Sequence, residues 1–326
     1  MDPRHAGRKK YGAQTHIVKL RIGSRGSKLA VTQSRWVGQH LLKAHPALDI
    51  SYVTITTAGD QNMSPDFKTA GGKGLFVKEI ETALLQQNID LAVHSLKDMP
   101  QTLPSGLILG PTPLREDVRE AVLSRFGELL SELPKKSTVG TSSVRRKAQI
   151  LYRFKKRGYN IEPLRGNVDT RLKKLQDGQY DAIVVALAGL KRLGLESDVV
   201  DILDPQVFLP APCQGALALQ YREKDSFLMP LLQSIADSAS DATARAERSF
   251  LQGLGGDCNV PVGVFSEWMK TDLKMKAQIL SIDGTQSIEV EHSGPSQDPE
   301  LVGYQLAELL LHDGGAELLN VVETAH

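Results

Sequence analysis

The sequence predicts an α/β fold in which two hinged domains are followed by a third, smaller α/β domain. Short apolar runs alternate with stretches of helical periodicity, which is typical of βαβ units. Proline and glycine cluster at 104–113 and again at 205–215, as expected where a chain crosses from one domain to another and returns. Beyond Asp241 the pattern changes to helix, strands and helix.

The predicted elements follow in order along the chain. Strands are expected at 20–23, 51–57, 90–95, 137–142 and 181–187. Apolar residues at helical spacing predict two helices, with core stripes Leu29, Trp36, Val37 and Leu41, then Phe76, Ile80 and Leu84. In the last third, the helix TARAERSFLQGL precedes strands near 260–265, 273–282 and 286–291, and a helix from about 299 to 312 is stopped by Gly314.

Length and composition narrow the class of protein. The 326 residues exceed the size at which one hydrophobic core stops growing. With 41% hydrophobic and 24% charged residues, the composition is typical of a soluble globular protein. No apolar run is long enough for a membrane span, and the N-terminus lacks the apolar stretch of a secretory signal. We expect a cytoplasmic protein with a basic, disordered tail at 1–17, the alternative being a transit peptide.

Net charge and cysteine content exclude further classes. A formal net charge of +1 argues against a whole-chain nucleic-acid or membrane binder. The two cysteines, Cys213 and Cys258, are too few for a disulfide framework. No Cys-x-x-Cys motif or histidine cluster accompanies Cys258, so we expect no metal there.

Positive charge is concentrated between Arg145 and Arg192, a segment that contains thirteen lysines and arginines but only four acidic residues. The segment GTSSVRRKAQILYRFKKRG predicts a strand, a Ser142 or Ser143 cap, a helix and a stop at Gly158. Arg145 and Arg146 therefore fall in the first helical turn. Cations there oppose the helix dipole unless an anion binds at the same end.

The segment LRGNVDTRLKKL repeats this arrangement with Arg165, Asn167 and Arg171. We interpret these arginines as ligands for carboxylates or phosphates, and the neighbouring lysines as a solvated face. On this interpretation Arg146→Gln leaves the melting temperature of the ligand-free protein unchanged or slightly raised, because only a bound anion benefits from the charge.

Two further segments contain candidate catalytic or binding residues. HSLKDMP places Ser95, Lys97 and Asp98 at the carboxyl end of a strand, where α/β sheets bind ligands. Cys258 lies in GLGGDCNVP, a loop between a predicted helix and a strand. Taken alone, a Lys–Asp pair is more often solvated and a lone cysteine more often a small buried residue. The residues themselves leave both roles open.

One family has these segments in this order: RIGSRGSKLA, GGKGLFVKEIE, HSLKDMP, GTSSVRR, LRGNVDTRL, AGLKRLG, QGAL and the cysteine loop. Over residues 18–326 the chain resembles the porphobilinogen deaminases. The resemblance implies three α/β domains, the first two arranged like periplasmic binding proteins around a cleft. The domains it implies are 18–113 with 215–234, then 114–214, then 235–326, which carries the cysteine.

The function implied by the resemblance is that of a transferase, hydroxymethylbilane synthase. Such an enzyme deaminates four porphobilinogen molecules and joins them into the linear tetrapyrrole hydroxymethylbilane in haem biosynthesis. The product grows on a dipyrromethane cofactor, which a thioether links to the cysteine that matches Cys258. Asp98 matches the family's catalytic aspartate. We expect a monomer whose partner is the small-molecule substrate, with no nucleic acid and no membrane.

Other family residues that bind cofactor or substrate match positions spread along the chain. These are Arg25, Ser27, Lys73, Ser95, Lys97, Thr141, Ser142, Ser143, Arg145, Arg146, Arg165, Gly166, Arg171, Arg192 and Gln214. Asp257 and Cys213 stand where the family usually has glycine. We expect Asp257 to slow cofactor attachment and the bulk of Cys213 to restrict domain movement.

Two other classes of protein share parts of this pattern. A solute-binding protein would have paired domains and an anion-binding cleft, but it has no use for Cys258 and normally carries a signal peptide. A nucleic-acid binder could use the basic stretch, yet aromatic residues for stacking are sparse there.

Overall fold

The computed structural model describes residues 18–57, 77–255 and 260–319. The strands are β1 (Val18–Arg25), β2 (Leu48–Ile55), β3 (Leu91–Ser95), β4 (Leu107–Leu109), β5 (Glu120–Ser124), β6 (Thr138–Gly140), β7 (Asn160–Glu162), β8 (Ala182–Ala186), β9 (Asp201–Leu203), β10 (Leu217–Arg222), β11 (Val262–Met269), β12 (Asp272–Leu280) and β13 (Ser287–Pro295). The helices are α1 (Lys28–Ala44), α2 (Lys78–Leu85), α3 (Val144–Arg153), α4 (Val168–Gln176), α5 (Leu187–Leu193), α6 (Leu228–Gln233), α7 (Ser238–Gly253) and α8 (Pro299–Leu310).

The first two sheets share one strand order. The first is β2-β1-β3-β10-β4 and the second is β7-β6-β8-β5-β9. In each sheet three parallel strands lie side by side, and the fourth strand is antiparallel to both of its neighbours. That fourth strand is the one formed directly after a crossing: β5 follows the first crossing and β10 follows the return. The chain thus builds two similar α/β units joined by two segments, the architecture of periplasmic binding proteins.

Local sequence explains these elements. The central strands β3 and β8 have apolar runs that are buried on both faces, as parallel strands covered by helices require. Helix α1 packs Val37 and Leu41 against Leu20 and Ile22 of β1. A serine precedes both α1 and α3, which is the usual residue type at a helix N-cap.

The third unit packs α7 and α8 on the antiparallel sheet β11-β12-β13. Phe250 of α7, Leu306 of α8 and Met275 of β12 are fully buried in its core. The two helices meet closely at Gly303, where an added Cβ would lie 2.0 Å from the carbonyl oxygen of Ala246. A larger residue there would force the helices apart.

The two crossings are held against each other and against α7. Arg115 on the first crossing forms a buried ion pair with Glu247 of α7 at 2.9 Å and donates to the carbonyl of Gln214 on the return. The backbone N–H of Cys213 donates to the same glutamate. Cys213 is buried with φ at 61°, a conformation that favours glycine.

Each strand predicted from the sequence overlaps an observed strand, and the predicted helices correspond to α1, α2, α3, α4, α7 and α8. Strands β4, β5, β7, β9 and β10 were not predicted. Three of them have only three residues, too few to show a period. Gly314 has φ at 101° as a helix stop requires, although a further helical turn follows it. The tail at 1–17 and Phe76 lie outside the described residues, and the domain limits stay a prediction.

Among the described helices, none has both the length and the apolar character needed to cross a bilayer. Within the same residues no group of three or more potential metal ligands comes together.

Candidate active site

A cleft of about 570 Å³ lies where all three units meet. The first sheet contributes the ends of β1 and β3, the second contributes the end of β8 and the first turns of α3 and α4, and the third contributes Leu251, Val260 and Val262. Because the carboxyl ends of the parallel strands face it, the cleft is where ligands are expected in such a fold.

Most of the residues predicted from the sequence line this cleft. They are Arg25, Ser27, Ser95, Lys97, Asp98, Ser142, Ser143, Arg145, Arg146, Gly166, Arg171 and Gln214. Residues more than 100 positions apart in the sequence therefore line the same cavity. The cationic side chains among them outnumber the carboxylates, so the cleft favours an anionic ligand.

Thr141, Arg165 and Arg192 do not line the cleft. The buried Thr141 hydroxyl accepts from the backbone N–H of Ser143, so it shapes the turn before α3. Arg165 is exposed. Arg192 donates to the carbonyl of Gly215 at 2.7 Å, and burial lowers its pKa to about 10 although Glu116 opposes the shift. A binding role for these three stays a prediction, while Lys73 and Cys258 lie outside the described residues.

The amino ends of α1, α3 and α4 border the cleft. Ser27 caps α1 and Ser143 caps α3, each accepting a backbone N–H from three residues ahead at 3.3 Å. Asn167 precedes α4. The first turns of α1 and α3 contain no acidic residue, so their partial positive charge is not compensated from within the helix. This geometry adds to the attraction for anions.

A buried glutamate that the sequence analysis missed organises the arginines. Both oxygens of Glu120, the first residue of β5, face guanidinium groups, Arg145 at 2.5 Å and Arg146 at 2.7 Å. Glu120 is 0% exposed and the arginines 4% and 6%. Burial alone would raise the pKa of Glu120, but the charges of Arg146, Arg145 and Lys97 outweigh it and lower the pKa to about 2. The carboxylate is therefore ionised at neutral pH.

Glu120 reverses one expectation from the sequence. The sequence predicts that the first-turn arginines stabilise nothing without a ligand, but Arg146 also neutralises Glu120 and donates to the carbonyl of Val184. Breaking a buried ion pair leaves a charge without compensation and costs about 3 to 5 kcal/mol. Because Arg145 still faces Glu120, we expect the lower end of that range.

Arg146→Gln should therefore lower the free energy of unfolding of the cofactor-free protein by about 3 kcal/mol, measured by urea denaturation. Arg165→Gln is the matched control, since this exposed arginine should change stability by less than about 0.5 kcal/mol. Equal stability of the two variants would mean that Arg146 acts only on the ligand.

Lys97 and Asp98 form a short turn directly after β3. The ammonium of Lys97 donates to the side-chain oxygen of Gln214 at 3.1 Å. Burial lowers the pKa of Lys97 to about 8, with Asp98 raising it and Arg146 lowering it. Asp98 is exposed within the cleft. Its charge also acts on the guanidinium of Arg171, whose Nε donates to the carbonyl of Gly166 at 2.8 Å.

Fold and site together define an α/β protein of two linked units and a smaller third, with a cleft whose cations favour an anionic ligand near the exposed carboxylate of Asp98. Two family models match the chain: "Porphobilinogen deaminase, dipyromethane cofactor binding domain" over residues 20–229 and "Porphobilinogen deaminase, C-terminal domain" over 242–312. The chain belongs to the porphobilinogen deaminase family.

Similar proteins that are named porphobilinogen deaminase support the same family. Porphobilinogen deaminase of Bacillus pumilus (strain SAFR-032) is 43% identical over 306 residues, covering 93% of this chain and 97% of the relative. That of Bacillus subtilis (strain 168) is 44% identical over 306 residues, covering 93% and 96%. The expectations of family, fold class, transferase function in tetrapyrrole synthesis and dipyrromethane cofactor are confirmed.

Among solved structures, a putative methionine-binding lipoprotein of Bacillus subtilis resembles the chain with a TM-score of 0.39 and 11% identity, covering 67% of this chain and 89% of that one. A likeness this distant says nothing about ligands.

Proposed function

We propose that this chain deaminates porphobilinogen and joins four molecules of it into hydroxymethylbilane, with Asp98 as the catalytic carboxylate. The observation that carries the proposal is the placement of Asp98 in a cleft lined by Lys97, Arg146 and Arg171. A substrate with several carboxylates needs such cations, and a reaction with cationic pyrrole intermediates needs a fixed negative charge among them.

The residues of the cleft fit a dipyrromethane. Each pyrrole ring of the cofactor bears an acetate and a propionate group, so the bound group would bring four carboxylates. Arg25, Lys97 and Arg171 offer charged donors, and the hydroxyls of Ser142 and Ser143 lie beside the amino end of α3. A volume of about 570 Å³ is within the usual range for small-molecule sites.

Asp98 would act on the charge that develops on the substrate. As the amino group of porphobilinogen leaves, positive charge spreads over the pyrrole ring, and a carboxylate nearby stabilises it without rearranging. Lys97 and the arginines would hold the acetate and propionate groups, which fixes the ring relative to Asp98. When bound, the cofactor would supply the free pyrrole carbon to which the first unit is joined.

We propose Cys258 as the attachment site. Leu251 near the end of α7 and Val260 just before β11 lie on either side of this cysteine in the sequence, and both line the cleft. Cys213, the other cysteine, is buried beneath α7, with its sulfur 3.6 Å from the carbonyl oxygen of Ala244. Of the two thiols, Cys258 is therefore the one that lies in sequence between two residues of the cleft.

Intact mass under denaturing conditions tests this proposal. The purified, active protein should exceed the mass of the bare 35.6 kDa chain by one dipyrromethane, and peptide mapping should place the addition on the peptide that contains Cys258. The peptide with Cys213 serves as the internal control and should have its unmodified mass. Active protein with the mass of the bare chain would refute the proposal.

We also propose that the protein works as a monomer in the cytoplasm, without a nucleic-acid or membrane partner. All three walls of the cleft come from one chain, so a second copy is not needed to complete it. Light scattering during size-exclusion chromatography should give a mass near 35.6 kDa; twice that value would contradict the proposal.

A further inference from the structure

Gln214 is a fully buried amide that touches both units of the cleft. Its Oε1 accepts from the ammonium of Lys97 at 3.1 Å and lies 3.5 Å from the guanidinium of Arg146. Its Nε2 donates to the carbonyl of Val118 on the first crossing at 2.8 Å. Because a carbonyl can only accept, this bond fixes which end of the amide faces the two cations.

The amide extends the ion pair of Glu120 toward the catalytic turn. Glu120 at the start of β5 holds Arg146 on α3, Arg146 approaches Gln214 on the return crossing, and Gln214 binds Lys97 after β3. This buried path joins the second sheet to the first. The path ends at Lys97, the residue next to Asp98. Because Gln214 is uncharged, its contact with Lys97 adds no charge there.

We propose that Gln214 is a positioning residue: its side-chain oxygen holds Lys97 beside Asp98 instead of binding the cofactor or substrate itself. Both ends of the amide already have protein partners, which leaves it little capacity for a ligand. This inference rests on the proposed function, in which Lys97 binds carboxylates.

The amide oxygen also affects the charge state of Lys97. An acceptor that bonds to an ammonium favours the charged form, so removing the oxygen should lower a pKa that burial has already brought to about 8. The other charges that act on the ammonium are Asp98 and Glu120, which raise the pKa, and Arg145 and Arg146, which lower it. A carboxylate in place of the amide should raise it.

Nitrogen NMR of lysine-labelled, full-length protein measures this directly, with the Lys97 signal assigned by its loss in Lys97→Gln. Gln214→Met should lower the pKa of Lys97 by about one unit, and Gln214→Glu should raise it by at least as much. Gln149→Met is the matched control, because Gln149 is an equally buried amide that donates to the carbonyl of Leu209 on the same return segment. That variant should leave the pKa unchanged.

Kinetics then separates the two proposals. If Lys97 binds substrate carboxylates, the rise of KM at alkaline pH should begin at lower pH in Gln214→Met, while Gln149→Met follows the wild type. An unchanged pKa in Gln214→Met overturns the positioning role, even if Gln214→Glu does not fold. A different outcome is that the pKa of Lys97 is shifted in Gln214→Met while the KM of Lys97→Gln is normal. That result would refute the binding role of Lys97 and leave the positioning role of Gln214 intact.

Discussion

Asp98→Asn is expected to lower the turnover number by about 100-fold or more while the protein stays folded and keeps its cofactor. The substitution removes the negative charge with little change in volume. Asp98 is exposed in the cleft and makes no hydrogen bond to any of the residues described, so no hydrogen bond of the fold is lost. Steady-state formation of hydroxymethylbilane, circular dichroism and intact mass together check the result.

Asp177→Asn provides the control for this experiment. Asp177 is an exposed carboxylate at the end of α4 and does not line the cleft, so its loss should leave turnover within about twofold of the wild type. Near-normal turnover in a folded Asp98→Asn protein would refute the catalytic role.

Cys258→Ala should abolish nearly all turnover, because the proposed function gives the growing product no other point of attachment. The same variant should give no red colour with an acidic aldehyde reagent for pyrroles. Cys213→Ala should retain both activity and colour, since its sulfur is buried against the backbone of α7. Colour in Cys258→Ala that is lost in Cys213→Ala would reassign the attachment site.

Local signals explain why much of the cleft was predictable. A serine before a helical repeat marks an N-cap, and a charged turn after an apolar strand marks a sheet edge. Ser143 and Lys97 follow such signals, whereas Ser27 was expected from the family resemblance alone, and the cleft brings the three together. Their chemistry depends on neighbours within a few residues, which one sequence contains.

Glu120 and the contacts of Gln214 could not be found this way. Glu120 is the last residue of the charged segment LREDVRE and the first of β5, and the arginines that it neutralises come 25 and 26 residues later. Gln214 reaches Lys97 across 117 residues. Both contacts exist only because the chain crosses between the two units twice. The packing of the two crossing segments cannot be predicted from periodicity in the sequence.

The strand order of the first sheet also sets a sequence of events during folding. Its β4 pairs only with β10 among the described strands, and β3 pairs with β10 across more than a hundred residues. The second sheet uses a continuous segment from β5 to β9. During translation, all strands of the second sheet are therefore synthesised before β10, the last strand of the first sheet. Until then, the first unit exposes the edge of β3, the strand that leads into the catalytic turn, and such an edge invites pairing with other chains.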